Sequence, residues 1–293
     1  MYTSVTQDTV DAVLAGFRQA EPGVQVDVFR ALSGQVNTRI ATEEQTGGVK
    51  ADVVWHSDPL SMQPLAARGR LLAWTPHNVA AVPARYRAGT FYGTRLLNMV
   101  IVHRRGDSPA PVSWSDLASE PFQGAVAIPN PAAAGTAFGA LGYFSGADGY
   151  GLDYYRRLKA NGAVQVQTIN DVITGVAQGR YKAGMTLETS ARQEIAKGAP
   201  IDIVWPTPGA ISIFSPAAVV KTSPNLAAAQ ALLDYLISAD GQRRIAATGW
   251  QPVRADVPGP SQPPGTHLVA PDWPRLYDRQ QKLLDDYRQI FGG

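Results

Sequence analysis

Hydrophobic residues along the chain follow two periods, one typical of a helix and one typical of a strand. In segment 7–20 they fall on one helix face, at Val10, Val13, Leu14 and Phe17. The sequence EPG at 21–23 predicts the end of that helix. VQVDV at 24–28 alternates as a half-buried strand does, and ADVVW at 51–55 predicts a more fully buried strand.

The same two periods continue to the end of the chain. Further strands are predicted at 96–104, 124–129, 164–169, 183–187, 201–205 and 214–220. Helical patterns lie between most of them, notably GLDYYRRLKANG, DVITGVAQGR, TSARQEIAKG and NLAAAQALLDYLIS. After the Pro- and Gly-rich linker VPGPSQPPGT, residues 274–291 predict an amphipathic terminal helix. Strands that alternate with helices predict an α/β fold with mainly parallel strands.

Length and composition narrow the class of protein. The chain has 293 residues, 45% of them hydrophobic, which is more than one ordinary domain needs, so two lobes are expected. Its 26 Lys and Arg residues against 24 Asp and Glu give a formal net charge of +2. Neither sign forms a run typical of a nucleic-acid groove or of a polybasic membrane arm. We therefore expect no nucleic-acid partner.

Cysteine is absent, which excludes disulfides, thiolate catalysis, Cys-ligated zinc and a lipoprotein cysteine in the chain as given. No apolar run approaches the ~20 residues of a membrane span. Met1 lies close to the strand expected just before TSVTQD at 3–8, without the basic and apolar regions of a leader. This fits either a cytoplasmic protein or one in which a start codon replaces the signal peptide.

The predicted strand-to-helix turns carry small and polar residues. In open α/β sheets, ligands bind beyond the carboxyl ends of strands, where helix N-termini converge. The turns are TSVTQD at 3–8, LSGQ at 32–35, HSDP at 56–59, AAAGTA at 132–137, INDV at 169–172 and LETS at 187–190. Ser, Thr, Asn and Asp are also preferred N-caps, so no single turn of this kind defines a site.

The turn AAAGTA differs from the others because residues 132–135 all have small side chains or none. Helix capping does not require such a run. Small side chains let a ligand approach first-turn N–H groups, which have no partner within the helix. The helix dipole supplies only ~0.3–1 kcal/mol, whereas each hydrogen bond to a charged group contributes ~1.5–3 kcal/mol. Several converging N–H groups therefore predict a site for an anion of phosphate size.

Catalytic motifs are absent from the sequence. The histidines show no metal-ligand spacing at His56, His77, His103 and His267. HSD at 56–58 cannot build a serine triad, because triad members come from separate elements. There is no G-x-S-x-G and no Walker A motif, and GADGYG at 146–151 lacks the dinucleotide-binding spacing. We therefore expect neither an enzyme, nor a metal site, nor a cofactor.

Four stretches together resemble a known family. They are YTSVTQDTVDAVLAGFRQAEPGVQVDVFRALSGQVNTRIATE, ADVVWHSDP, SWSDLASEPFQGAVAIPNPAAAGTA and SADGQRRIAATGWQPVR, and they extend from Tyr2 to Arg254. In order and spacing they are similar to type 2 periplasmic solute-binding proteins of ABC importers, in the branch with ferric-ion, aminoethylphosphonate and sugar-phosphate binders. The resemblance implies two α/β lobes of mixed sheets with flanking helices, joined by crossing strands, with a ligand cleft between them.

The resemblance also implies domains and site residues. Lobe 1 would comprise residues 1–100 and 216–260, lobe 2 residues 101–215, and residues 261–293 a C-terminal linker and helix that pack on the lobes. The expected ligand-binding residues of lobe 1 are Ser4, Thr6, Ser33, Gly34 and Asp58. Those of lobe 2 are Ala134, Gly135, Thr136, Ala137, Asn170, Glu188, Thr189 and Ser190.

What the resemblance implies for iron depends on Thr189 and Ser190. Iron-binding relatives generally have two adjacent tyrosines at these positions, and a histidine in the first turn, which here reads TSVTQD. This argues against direct Fe³⁺ coordination, and Tyr154 and Tyr155 fall in a helical pattern where packing is the better interpretation. A ferric ion or ferric chelate bound without the tyrosine pair stays an alternative, as does an enzyme or receptor sensor domain on the same fold.

We therefore expect a monomeric, non-catalytic component of an ABC importer, at the periplasmic or extracellular face of the membrane, with a membrane permease as partner. Its ligand would be a small phosphorus-containing anion, an aminoalkylphosphonate such as 2-aminoethylphosphonate ahead of a sugar phosphate. Asp58 and Glu188 are expected to bind a cationic or hydroxyl-rich tail. The alternative is that Asp58 caps a helix and Glu188 faces solvent.

Overall fold

The computed structural model describes residues 1–292. The strands are β1 Tyr2–Thr3, β2 Phe29–Arg30, β3 Val53–Trp55, β4 Tyr92–Arg104, β5 Val126–Pro129, β6 Val164–Val166, β7 Ala183–Leu187, β8 Ile201–Val204, β9 Ala210–Val219, β10 Gln251–Pro252 and β11 Leu268–Val269. The α-helices are α1 Gln7–Ala20, α2 Ser33–Gln45, α3 Pro59–Ala67, α4 Gly135–Gly146, α5 Gly151–Ala160, α6 Ile169–Ala177, α7 Glu188–Ala196, α8 Leu226–Leu236, α9 Ala239–Ala247, α10 Trp273–Tyr277 and α11 Gln280–Phe291.

The chain forms two compact units. The first comprises residues 1–96 and 214–261, and the second comprises residues 97–213 and 262–293. The strands β4 and β9 each pass from one unit into the other. Both units combine a mixed sheet with helices, which confirms the predicted α/β class.

The sheet of the first unit has the strand order β2–β1–β3–β9–β4, with β10 paired to β4. β1 pairs in parallel with β2 and β3, whereas β9 runs antiparallel to β3. The helix predicted at 7–20 is confirmed with the same bounds as α1. Its apolar stripe is buried, because Val10, Val13 and Phe17 have no exposed surface.

The strand predicted at 24–28 is wrong, because the paired residues of this segment are Phe29 and Arg30 of β2. The alternation is nevertheless real. Val24 and Val26 are half-buried, and Gln25 between them is exposed. Only Tyr2 and Thr3 of β1 pair with β2. Residues 24–28 therefore alternate in burial without forming a hydrogen-bonded ladder with a neighbouring strand.

The sheet of the second unit has the order β4–β7–β5–β6, with β8 on β4 and β11 on β9. β5 pairs in parallel with both β6 and β7. The strand predicted at 183–187 is confirmed with the same bounds as β7. The core between this sheet and its helices contains Val102, Ala127, Val172, Ile173, Val176, Ala191 and Ile201.

The sequence predicted that residues 261–293 form a linker and helix that pack on the lobes, and in the structure the segment from residue 262 belongs to the second unit. The single helix predicted at 274–291 is two helices, α10 and α11. In α11, the Tyr287 ring lies 5.3 Å from the Tyr155 ring, and its hydroxyl donates to Gln165 Oε1 at 2.7 Å. Tyr154 and Tyr155 are both buried, which confirms that they are packing residues.

None of the helices in residues 1–292 has the length and apolar character needed to cross a bilayer.

We predict that Gly184→Ala destabilises the second unit by about 1–3 kcal/mol, because overpacking a tight core forces atoms apart. An added Cβ would lie 2.4 Å from Val172 Cγ1 and 2.6 Å from the Ala127 carbonyl oxygen. Gly146→Ala is the matched control, since a Cβ there meets nothing within 4 Å. Urea unfolding measures both variants, and equal stability of the two would contradict the predicted close packing.

Candidate functional site

The AAAGTA turn leads from the carboxyl end of β5 into α4. Asn130 organises this turn, because its Oδ1 accepts the N–H of Ala132 at 2.9 Å. The Asn130 carbonyl oxygen accepts the N–H groups of Ala133 and Ala134 at 3.1 and 2.9 Å. Ala134 is then the N-cap of α4, without a side-chain capping bond.

The N–H groups of Gly135, Thr136 and Ala137 open the first turn of α4. Such groups have no acceptor within their own helix. No other group in residues 1–292 accepts a hydrogen bond from them. Their side chains are small and the three residues are buried, so the polar backbone here is enclosed without being paired.

Thr136 adds a side-chain donor to this turn. The residue is 2% exposed, and its Oγ1 has no hydrogen-bond partner in the part of the chain that the structure describes. Leaving an enclosed hydroxyl unpaired costs about 1–3 kcal/mol. The first turn of α4 thus combines unpaired N–H groups, an unpaired hydroxyl and the positive end of a helix, which suits an anion.

Glu188 begins α7 directly after β7. It is 3% exposed, so the alternative in which it faces solvent is wrong. Its Oε1 accepts Arg192 Nε at 2.7 Å, and its Oε2 accepts Asn98 Nδ2 at 3.1 Å. Asn98 Oδ1 has no partner among residues 1–292. Glu188 is therefore an enclosed carboxylate whose charge Arg192 partly neutralises.

The other predicted residues of the second unit lie in neighbouring first turns. Thr189 is buried and Ser190 half-buried in α7, and Asn170 is exposed in α6. Thr168 caps α6 through Asp171, so Asn170 is not needed as a cap. Because β5, β6 and β7 are parallel neighbours, the turns that follow them lie at one edge of the sheet.

In the first unit, Ser4, Ser33 and Ser57 form a serine cluster. Ser57 Oγ lies 3.2 Å from Ser4 Oγ and 3.0 Å from Ser33 Oγ. The Ser57 N–H also donates to Ser4 Oγ at 3.0 Å. Sequence reasoning did not select Ser57, although its place after β3, the parallel neighbour of β1, was a usable signal.

Thr6 and Gly34 flank this cluster. Thr6 Oγ1 lies 3.0 Å from Thr9 Oγ1, and Thr9 Oγ1 lies 3.0 Å from Thr248 Oγ1. The Gly34 carbonyl oxygen accepts Thr38 Oγ1 within α2 at 2.9 Å. The Thr6 hydroxyl thus belongs to a series of hydrogen-bonded threonine hydroxyls in the first unit.

Asp58 is fully buried and is the N-cap of α3. Its Oδ1 accepts the N–H of Ser61 and its Oδ2 accepts Ser61 Oγ, both at 2.8 Å. Asn37 Nδ2 of α2 donates to the same Ser61 hydroxyl at 3.2 Å. The structure therefore shows the capping role, and burial raises the pKa of Asp58 to about 7.

His56 is also fully buried, and neither of its ring nitrogens has a partner among residues 1–292. Burial lowers the pKa of its imidazole to about 4. Its backbone N–H donates to the Pro216 carbonyl oxygen of β9 at 3.0 Å. The ring is thus a neutral core group at neutral pH.

Within residues 1–292, no group of three or more His, Cys, Asp or Glu side chains could hold a metal ion.

Residues 1–251 match the family of bacterial extracellular solute-binding proteins. That match covers most of the chain, and the chain belongs to this family. One of its relatives is a periplasmic protein of Salmonella typhimurium. The name of that protein provisionally describes it as a 2-aminoethylphosphonate-binding protein. It is 26% identical over 247 residues, which are 80% of this chain and 71% of that protein. A Sinorhizobium fredii relative, named as a probable ABC transporter periplasmic-binding protein, is 25% identical over 77% of this chain and 66% of its own length.

Solved structures of binding proteins share the fold. The Actinobacillus pleuropneumoniae protein AfuA, solved with fructose-6-phosphate, superimposes with a TM-score of 0.88 at 19% identity, over 99% of this chain and 97% of AfuA. Iron-bound HitA from Pseudomonas aeruginosa gives a TM-score of 0.83 at 20% identity, over 99% and 97% of the two chains. At these identities the likeness concerns the fold alone.

His56 and Asp58 are predicted to give the unfolding free energy opposite pH dependences. Burial lowers the His56 pKa from 6.5 to about 4, so its contribution is present above pH 6.5 and lost as the pH falls through about 4. Burial raises the Asp58 pKa from 3.8 to about 7, so its contribution is present below pH 3.8 and lost as the pH rises through about 7.

Single variants separate these two contributions. On acidification between pH 6.5 and 4, Asp58→Asn should lose stability relative to wild type, because only the His56 contribution is left. His56→Gln should gain stability over the same window, because only the Asp58 contribution is left. Urea unfolding at a series of pH values measures both, and parallel curves for the two variants would contradict the assignment.

Proposed function

We propose that this solute-binding protein is the substrate-binding component of an ABC importer, works in the periplasm and captures a small phosphorus-containing anion. The observation that carries the proposal is the first turn of α4, where the N–H groups of Gly135, Thr136 and Ala137 and the Thr136 hydroxyl have no acceptor within residues 1–292. A phosphonate or phosphate offers several charged acceptor oxygens, and the helix N-terminus favours their charge.

The relatives support the same class of ligand and partner. The Salmonella typhimurium protein carries 2-aminoethylphosphonate in its name, and the AfuA structure contains fructose-6-phosphate. Both compounds present a phosphorus-centred oxyanion. The Sinorhizobium fredii relative is named as part of an ABC transporter, which supports a membrane permease as the partner.

We place 2-aminoethylphosphonate ahead of a sugar phosphate because of Glu188. Its carboxylate follows β7, at the same sheet edge as the α4 turn, and is enclosed. Each of its oxygens accepts one hydrogen bond and retains capacity for another, which an ammonium group would use. Asp58 is proposed only as support for α3, because both of its hydrogen bonds cap that helix through Ser61 and burial raises its pKa to about 7, which disfavours the charged form.

The proposed protein is a monomer that does no chemistry on its ligand and closes when the ligand binds. Small-angle X-ray scattering with and without 2-aminoethylphosphonate would detect closure as a smaller radius of gyration. Hydrolysis of a bound phosphate ester would contradict the non-catalytic part of the proposal.

Thr136→Val is predicted to weaken binding of 2-aminoethylphosphonate about 10- to 100-fold, because it removes one hydrogen bond to a charged group. Thr136→Ser keeps the hydroxyl and should keep most of the affinity. Thr174→Val, at an exposed position of α6, is the matched control and should bind as wild type does. Isothermal titration calorimetry measures all four proteins.

Gly135→Val tests the backbone part of the same turn, because a branched side chain would block the approach of an anion to the N–H groups. Folding of each variant is checked by circular dichroism. Unchanged affinity in both Thr136→Val and Gly135→Val would show that the turn does not bind the ligand.

Glu188→Gln is predicted to weaken the binding of 2-aminoethylphosphonate about 10- to 100-fold. It should weaken the binding of fructose-6-phosphate less, because only the first ligand has an ammonium group. Arg192→Gln controls for loss of the ion pair in α7. Asp58→Asn removes a carboxylate that caps α3 and should affect neither ligand. Titration of both ligands gives the ratio of their affinities, and an equal loss for both would contradict a role for Glu188 in binding the amine.

A further inference from the structure

Arg95 lies on β4, just before the strand leaves the first unit after Leu96. The residue is 1% exposed. Its Nε and Nη1 have no hydrogen-bond partner, and it makes no ion pair with any carboxylate in residues 1–292. Arg95 is therefore an enclosed guanidinium with two unpaired nitrogens.

Two tryptophan rings pack against this guanidinium. Its central carbon lies 4.4 Å from the centre of the Trp250 ring and 6.0 Å from the Trp55 ring. Both rings are anchored, since Trp250 Nε1 donates to Thr9 Oγ1 at 3.0 Å and Trp55 Nε1 to Thr94 Oγ1 at 2.8 Å. The rings attract the cation through their faces, but they accept nothing from the N–H groups at its edges.

Residues 1–292 place no carboxylate in contact with Arg95. Asp8 is the acid whose charge acts on Arg95, yet it is exposed in the first turn of α1 and forms no ion pair with it. Burial lowers the pKa of Arg95 to about 9, so the group is still charged at neutral pH. An unpaired buried charge is strongly destabilising, and such violations of folding rules are expected mainly at functional sites.

We propose that Arg95 is the oxyanion-recognition residue of the first unit and that it hydrogen-bonds a phospho or carboxylate group of the bound solute. This inference rests on the proposed function. A guanidinium presents planar pairs of N–H donors that match two oxygens of such a group. Arg95 packs against Trp55, the last residue of β3, and Ser57 of the serine cluster follows two residues later.

The test is isothermal titration of 2-aminoethylphosphonate, inorganic phosphate and malonate into wild type, Arg95→Gln and Arg95→Lys. For every oxyanion that wild type binds, Arg95→Gln should lower the affinity about 10- to 100-fold. Arg95→Lys should lower the affinity less. Arg244→Gln is the control, because it removes the same charge from the same unit but from a guanidinium already paired with Asp240. It should bind as wild type does.

Stability separates a binding role from a structural one. Arg95→Met should unfold in the absence of ligand at the same or a higher temperature than wild type, because it removes an unpaired buried charge. It should also lose the thermal stabilisation that the oxyanion gives to wild type. If Arg95→Met and Asp8→Asn both lower the unfolding temperature and leave affinity unchanged, Arg95 is a structural partner of Asp8 and the inference is overturned.

The outcomes also separate this inference from the proposed function. If wild type binds 2-aminoethylphosphonate and Arg95→Gln binds it equally well, the inference fails and the function stands. If wild type binds malonate but neither phosphorus compound, the proposed ligand class fails, and the effect of Arg95→Gln on malonate decides the inference. Wild type that binds none of the three overturns both.

Discussion

The parallel pairing of β5 with β6 and β7 is the interaction on which the second unit's candidate site depends. Parallel strands place their carboxyl ends at one edge of a sheet, and the helices that follow begin there. The AAAGTA turn, Asn170 and Glu188 are far apart in sequence, but each follows one of these strands. The ladder bonds therefore bring together three helix N-termini, and that of α4 has unpaired first-turn N–H groups of the kind that favour an anion.

Two of the enclosed polar groups without a hydrogen-bond partner belong to residues proposed to bind an anion. Most enclosed donors and acceptors in folded proteins have partners, so each exception needs a physical reason. Thr136 Oγ1 and the Arg95 guanidinium are such exceptions in separate units, and both would be satisfied by the oxygens of an anion. Asp58 and the serine cluster are the opposite case, because their hydrogen bonds are made within the protein.

Asp58 and Glu188 show why similar sequence signals lead to different roles. Each is a carboxylate that follows a buried strand and precedes a helix. Asp58 has a short side chain and lies at the N-cap, so its oxygens reach the N–H of Ser61. Glu188 lies one position inside its helix, where its carboxylate instead meets Arg192 and Asn98. One position and one methylene group separate a cap from a candidate binding group.

The sequence by itself determined the α/β class, the bounds of α1 and β7, and the turns that hold the candidate site. It could do so because burial imposes a period on hydrophobic residues, and because turns and helix starts need particular small or polar residues. It did not determine the extent of β2, because hydrogen bonding there depends on which residues of β1 face it. The hydrogen-bond partners of Ser57 and Asp58 and the enclosure of Arg95 were decided only by the tertiary structure. Whether a polar side chain finds a partner depends on residues distant in sequence, such as Ser4 for Ser57 and Trp250 for Arg95.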